Sequence, residues 1–243
     1  MTSFARSNFS SFGGRGGAGV ATRWLVGLLV AVSLVGAITQ RKWGVGVEDL
    51  IFRADAVLQL ELWRVVTYAF VKTTPFGLIL SGVVLWLFGR WYESSWGARD
   101  YLKFFFASTI GAAILAIPIS ILANEVMPFR DLGMAEGPDA AVDAMMVALA
   151  LNAPDSNVLF GFVLPMRAKT LVLLLLGMDL ATSIMTGAST LSITLGGMLM
   201  GYLLVTGQWR PGLLLDRVRL WRLRRRRDGL YVVRPRSDKH HLN

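Results

Sequence analysis

Three carboxylates decide what chemistry this sequence could support. Asp139 and Asp143 stand four residues apart in the mostly apolar stretch Gly137-Pro138-Asp139-Ala140-Ala141-Val142-Asp143-Ala144-Met145-Met146, and Asp179 stands in the middle of a second apolar run, 170–185. A spacing of four puts Asp139 and Asp143 on one face of a helix. A carboxylate at membrane depth costs roughly 2.5–3.5 kcal/mol on insertion scales and marks a functional position by default. Three uses are open to such a set. Two aspartates that share a proton can activate water, provided they approach within about 5 Å. Aspartates at depth can serve a carrier or proton-coupled role. They can also line a polar cavity that receives polar or basic groups of another membrane segment. Each residue has a plainer role beside these: Asp139 as the acid of a helix start, Asp143 as a hydrated cavity group, Asp179 as a hydrogen-bond partner of a neighbouring span.

Other chemistry is removed by composition. There is no Cys, so thiol nucleophiles, disulfides and Cys-based metal sites are absent. The only imidazoles are His240 and His241, at the end of the chain, and none lies in the apolar part. No metal site and no cofactor is expected.

The aspartates need a scaffold, and the scaffold is a membrane one. Of the 243 residues 54% are hydrophobic, and mean hydropathy is +0.52, above the roughly 45–50% apolar content of soluble domains. The hydropathy pattern predicts an all-α membrane protein with six spans: 24–39, 76–91, 101–123, a short fourth helix after Gly137, 170–185 and 191–206. The first run also has the make-up of a signal peptide, but the membrane pattern continues past it and it is kept as a span. Pro138 and Asp139 suit a helix start, since Pro there needs no amide hydrogen and Asp faces the positive end of the dipole. That fourth helix is too short to cross a bilayer surrounded by lipid, so it belongs inside the bundle. Pro118 is expected to bend the third span.

Residues 1–22 form a disordered cytoplasmic tail, 23–206 the transmembrane domain, and 207–243 a basic cytoplasmic tail with an amphipathic helix over 211–227. The first loop, 40–74, interleaves Arg53, Asp55, Glu61, Arg64 and Lys72 with apolar residues and reads as short helices lying in the interface. The loop 152–169 has an apolar middle that dips toward the interface. The net charge of +9 is concentrated in the C-terminal tail, Arg224 to Arg227 above all. Beside a last span such a run anchors on anionic lipid rather than on nucleic acid. Basic flanks on alternate turns place both termini in the cytoplasm, and the bacterial inner (cell) membrane is the expected location.

Three motifs carry a family resemblance. Glu61-Leu62-Trp63-Arg64-Val65-Val66 resembles the first-loop Trp-Arg motif of rhomboid intramembrane proteases. Phe88-Gly89-Arg90-Trp91-Tyr92-Glu93, with Trp96-Gly97 after it, resembles the end of their second span. Leu195-Gly196-Gly197-Met198-Leu199-Met200-Gly201-Tyr202 resembles the glycine face of their sixth. The resemblance runs from about residue 24 to 205 and implies a six-span rhomboid-like bundle with a short buried fourth helix and an amphipathic first loop. It also implies a site, and here the sequence departs from the family. The nucleophile position holds Asp139 in place of Ser, and the base position holds Thr194 in place of His. The oxyanion positions hold Ser81 and Gly77. Trp63, Arg64, Glu93, Gly97, Gly197 and Gly201 retain the structural motifs. A serine hydroxyl needs a base within hydrogen-bond reach, so loss of both partners removes the reaction. The reading is a catalytically inactive rhomboid-like protein that binds or regulates transmembrane clients in the bilayer. The alternatives are an intramembrane endopeptidase, serine-type by family inheritance or aspartate-assisted, and the carrier role.

Overall fold

The computed structural model describes residues 19–43, 46–126, 134–152, 154, 157–160, 164–186 and 190–207. The chain divides into two units, Met1–Thr206 and Gly207–Asn243; the basic tail, with the helix expected over 211–227, lies outside the described residues, as does most of the N-terminal tail.

Helices stand at all six places where the sequence predicts spans. They are α1 (Val20–Trp43), α4 (Pro75–Trp96), α5 (Ala98–Val126), α6 (Asp139–Asn152), α7 (Ala168–Thr186) and α8 (Leu191–Thr206). Among the described residues, three stretches are long and apolar enough to cross a membrane: Val20–Gln40, Pro75–Trp96 and Ala98–Leu122. Helix α6 has 14 residues, a length of about 21 Å against the ~30 Å of a hydrocarbon core. Helix α8 has 16. Helix α5 runs on through Pro118. The chain is therefore a helical membrane protein in which α1, α4 and α5 are span-length and the later helices shorter.

Helix α8 is the axis on which α5 and α6 pack. A Cβ on Gly196 would lie 2.6 Å from the Ala112 carbonyl oxygen of α5, and one on Gly197 or Gly201 would lie 2.6 Å from the carbonyl oxygens of Ala140 or Ala144 of α6. Small residues four apart face small residues four apart, so the two backbones touch. At the other end of α4, the Tyr92 ring stands 4.6 Å from Trp96 and 6.3 Å from Phe104, and its hydroxyl donates to the Met145 carbonyl at 2.6 Å. That bond ties α4 to α6.

The all-helical expectation needs two small corrections. Helices α2 (Ala54–Leu58) and α3 (Arg64–Thr67) occupy the first loop, but β1 (Phe52–Arg53) pairs antiparallel with β2 (Met134–Ala135), Phe52 opposite Ala135. The apolar segment between α6 and α7 forms a hairpin, β3 (Asn157–Phe160) with β4 (Leu164–Arg167), Asn157 opposite Arg167. Its Val, Leu and Phe residues favour an extended, paired backbone over an unpaired dip into the interface.

Candidate functional site

The head of α6 is built by three separate parts of the chain. Gly137 takes φ +89°, a left-handed conformation open to glycine, and for that reason α6 begins at Asp139 and not at Gly137. The Gly137 amide donates to the Tyr68 carbonyl at 2.8 Å. A Cβ at Gly137 would meet the Lys72 side chain, Cε at 2.7 Å. The missing side chain is thus the space through which Lys72 reaches the helix start.

There Lys72 Nζ lies 2.8 Å from Asp139 Oδ2 and also donates to the Glu136 carbonyl at 3.2 Å. The Glu136 carboxylate is 3.9 Å away and accepts the Thr73 amide at 3.1 Å. From α4, Ser81 Oγ donates to Asp139 Oδ1 at 3.1 Å. The Lys72 amide donates to Ser33 Oγ of α1 at 2.9 Å, which fixes the backbone that carries the ammonium. Lys72 is largely enclosed, its side chain 14% exposed, whereas that of Asp139 is half exposed.

Both Asp139 oxygens are therefore engaged, one by a cation and one by a hydroxyl. The site is a carboxylate held as an ion pair. Ser81 presents its proton to that carboxylate and has no imidazole beside it.

Gly77 lies one turn before Ser81 on the same face of α4; a Cβ there would stand 3.7 Å from Lys72 Cδ. Three of the four positions singled out by the resemblance, Asp139, Ser81 and Gly77, thus surround Lys72. The fourth, Thr194, is buried in α8 one turn before Gly197. Asp143 is buried one turn beyond Asp139. Burial pushes the Tyr68 phenol well up, and the charges of Asp139 and then Asp143 add to this. Tyr68 is an O–H donor to the Thr109 carbonyl, at 3.0 Å. Asp179 is placed in α7, and its side chain lies outside what is described.

Sequence reasoning noted Lys72 only as one charge among several in the first loop. Its signal was a lone cation three residues ahead of Pro75, the start of α4, with two acids, Glu136 and Asp139, at the head of the short helix α6. An ion pair across 67 residues has no periodicity by which to find it.

The remaining motif residues hold the frame. Arg64 is buried and donates from Nη1 to the carbonyls of Glu48 (2.7 Å) and Ile51 (3.0 Å), while Nε bonds the Glu61 carboxylate. Trp63 Nε1 donates to the Asp49 carbonyl at 3.3 Å. The pair knots the first loop onto itself. Gly97, φ +84°, ends α4. Glu93 accepts the amides of Ala21 (3.0 Å) and Thr22 (2.9 Å) and the Thr22 hydroxyl (2.7 Å), closing the first turn of α1 from outside.

Gly137→Ala is expected to cost about 1–2 kcal/mol, the price of a left-handed conformation for a residue with a Cβ. It should also push the Lys72 ammonium off Asp139. Thermal melting in detergent measures the first effect, and a lysine-reactive probe that labels Lys72 faster in the variant measures the second.

Two comparisons with known proteins bear on this site. A family described as "Eukaryotic integral membrane protein (DUF1751)" matches residues 23–205. Rhomboid-like protein 19 of Arabidopsis thaliana is 26% identical over 151 residues, covering 58% of this chain and 47% of the relative. The chain thus spans about half the length of that relative. Together they support the rhomboid-like assignment made from the Trp63-Arg64, Glu93-Gly97 and Gly197-Gly201 motifs. They also correct one expectation: the matched family is eukaryotic, so the bacterial inner membrane is set aside and an integral membrane location stands.

Proposed function

The chain belongs to the family of eukaryotic integral membrane proteins designated DUF1751, and from that premise we propose that it is a rhomboid-like protein without proteolytic activity, which receives transmembrane segments of client proteins and does not cut them. In this reading α1, α4, α5, α6, α7 and α8 are six spans, with α6 shielded from lipid by its neighbours, and the basic tail lies on anionic lipid.

The observation that carries the reading is the Lys72–Asp139–Ser81 cluster. At the position where the resemblance expects a serine nucleophile stands a carboxylate whose charge is balanced by Lys72 and whose oxygens are both occupied. Serine catalysis needs a hydroxyl with a base at hand. Aspartate catalysis needs a proton shared between two carboxylates, and Asp139 shares its charge with an ammonium. What the cluster retains is a polar, half-exposed group at the head of a buried helix, suited to polar or basic groups of a client.

The test has two arms. A photocrosslinking residue at Thr74, exposed beside this cluster, should capture membrane-spanning proteins from native membranes. The purified chain in liposomes should leave a fluorogenic transmembrane substrate intact. No captured spanning protein, or cleavage that a serine-directed phosphonate blocks, would sink the proposal. Lys72→Met should raise capture of segments bearing Lys or Arg severalfold by leaving Asp139 without its cation, and Asp139→Asn should lower it. The Lys72 variant should melt within about 1 kcal/mol of the parent, since one partner of the pair is half in solvent.

A further inference from the structure

Several described cations have a carboxylate partner. Arg53 pairs with Asp55, Arg64 with Glu61, Lys72 with Asp139 and Lys103 with Asp100. The guanidinium groups of Arg23 and Arg90 have no ion pair or hydrogen bond to any described residue. Those two, from different helices and both exposed, line one shallow cleft open at the surface together with Gly19, Thr22 and Trp86.

The cleft has a definite construction. The start of α1 and the end of α4 are held together by Glu93, which accepts from Ala21 and Thr22. The Arg90 stem lies against Gly19, its Cγ 3.5 Å from where a Cβ would be. Among the described residues the carboxylate at hand is that of Glu93, and it is buried with its oxygens taken by three α1 donors. It is spent on the helix start, and the two exposed guanidinium groups have no counter-charge among the described residues.

Helix α1 is span-length, so its start lies at the membrane boundary, and the Glu93 bonds to Ala21 and Thr22 bring the last turns of α4 to the same level. Trp86 stands one turn before Arg90 on the same face of α4 and is 38% exposed. Tryptophan favours the boundary region, and Trp86 stands just inside the level of Arg90. Arginine presents a planar fork that matches phosphate oxygens in pairs. Paired forks from two helices beside an interfacial indole suit an anion with an apolar body attached.

We propose that this cleft binds the phosphate of an anionic phospholipid headgroup, with Arg23 and Arg90 as its ligands and Trp86 against the glycerol and upper acyl region. The site is separate from the Lys72–Asp139 cluster and does not rest on the function proposed there.

The experiment uses the full chain in a neutral detergent, with short-chain phosphatidylserine as the probe and phosphatidylcholine as the comparison, and counts bound lipid by native mass spectrometry. All variants carry Arg224 to Arg227 changed to Gln, so that tail binding does not mask the cleft. Each of Arg23→Gln and Arg90→Gln should weaken phosphatidylserine binding about fivefold, and both together about thirtyfold, from the usual worth of a basic residue at an anionic surface. Arg23→Lys with Arg90→Lys should fall between, because charge remains and the fork is lost. Millimolar inorganic phosphate should not displace the lipid. A double Gln variant that melts like its parent and binds phosphatidylserine equally well would overturn the proposal. So would equal retention of phosphatidylcholine, and displacement by inorganic phosphate would reassign the cleft to free anions. If the double variant does not fold, the two single variants decide by the same criterion.

Discussion

Gly201→Ala is expected to lower stability by about 3 kcal/mol, the upper part of the range for overpacking a filled core. The new methyl would lie 2.6 Å from the Ala144 carbonyl oxygen and 2.7 Å from its Cα. Both are backbone atoms, so no side chain can swing aside; α8 and α6 must separate. Gly197→Ala meets the Ala140 backbone in the same way, at 2.6 Å from its oxygen. The two contacts share one helix pair, so the double variant should lose less than the sum but still a large part of the roughly 5–15 kcal/mol typical of a folded chain. In melting temperature a single substitution should give a fall of about 6–12 °C for a chain of this size. Gly27→Ala is the control. It lies in α1 with nothing within 4 Å of its added carbon, and Ala favours a helix over Gly by about 1 kcal/mol. Melting at or above the parent's temperature is expected there. If Gly201→Ala melts with the parent, the backbone contact between α6 and α8 is not close, and the head of α6 is not positioned as described.

Glu93→Ala should cost more, about 3–5 kcal/mol, the usual consequence of removing one partner from a buried charged arrangement. Its carboxylate accepts two backbone amides and a hydroxyl of α1. The first amides of a helix have no partner within it, and a carboxylate there also meets the positive end of the dipole. Ala leaves these donors enclosed and unpaired. Glu93→Gln keeps one acceptor oxygen and should lose about half as much. Hydrogen exchange separates this from a general loss of fold: the Ala21 and Thr22 amides should exchange far faster in Glu93→Ala, while amides of α8 keep their protection in proportion to global stability. Unchanged exchange at both positions would show that another group closes α1.

The helices and the place of α6 were legible because each is written locally. Gly137-Pro138-Asp139 is a helix-start signal of three adjacent residues, and the glycines of α8 repeat at helical spacing. The strand pair of Phe52 and Ala135 was not legible, since two residues on either side of two long helices carry no periodicity. Lys72 escaped for the same reason. The hairpin after α6 reads in the sequence as an interfacial loop because its apolar run, without a partner strand in view, is too short to distinguish the two. The number of spans rested on apolar run length, and the runs that became α6 and α8 are short of that measure. Arg64 was placed at the membrane interface from its alternation with apolar residues; the carbonyls of Glu48 and Ile51 that enclose it lie 16 and 13 residues away.

The pairing of Phe52–Arg53 with Met134–Ala135, the Gly137 amide on Tyr68, and Lys72 on Asp139 join one early segment to one late one. This has a consequence for synthesis. While the ribosome is still making α4 and α5, the early segment has emerged but its partner does not yet exist. At about 5–20 residues per second the delay between the two strands is roughly 4–16 s. Throughout that interval Lys72 and the β1 edge are without their eventual counterparts, and the insertion machinery or a chaperone must hold the nascent loop until the head of α6 is delivered to it.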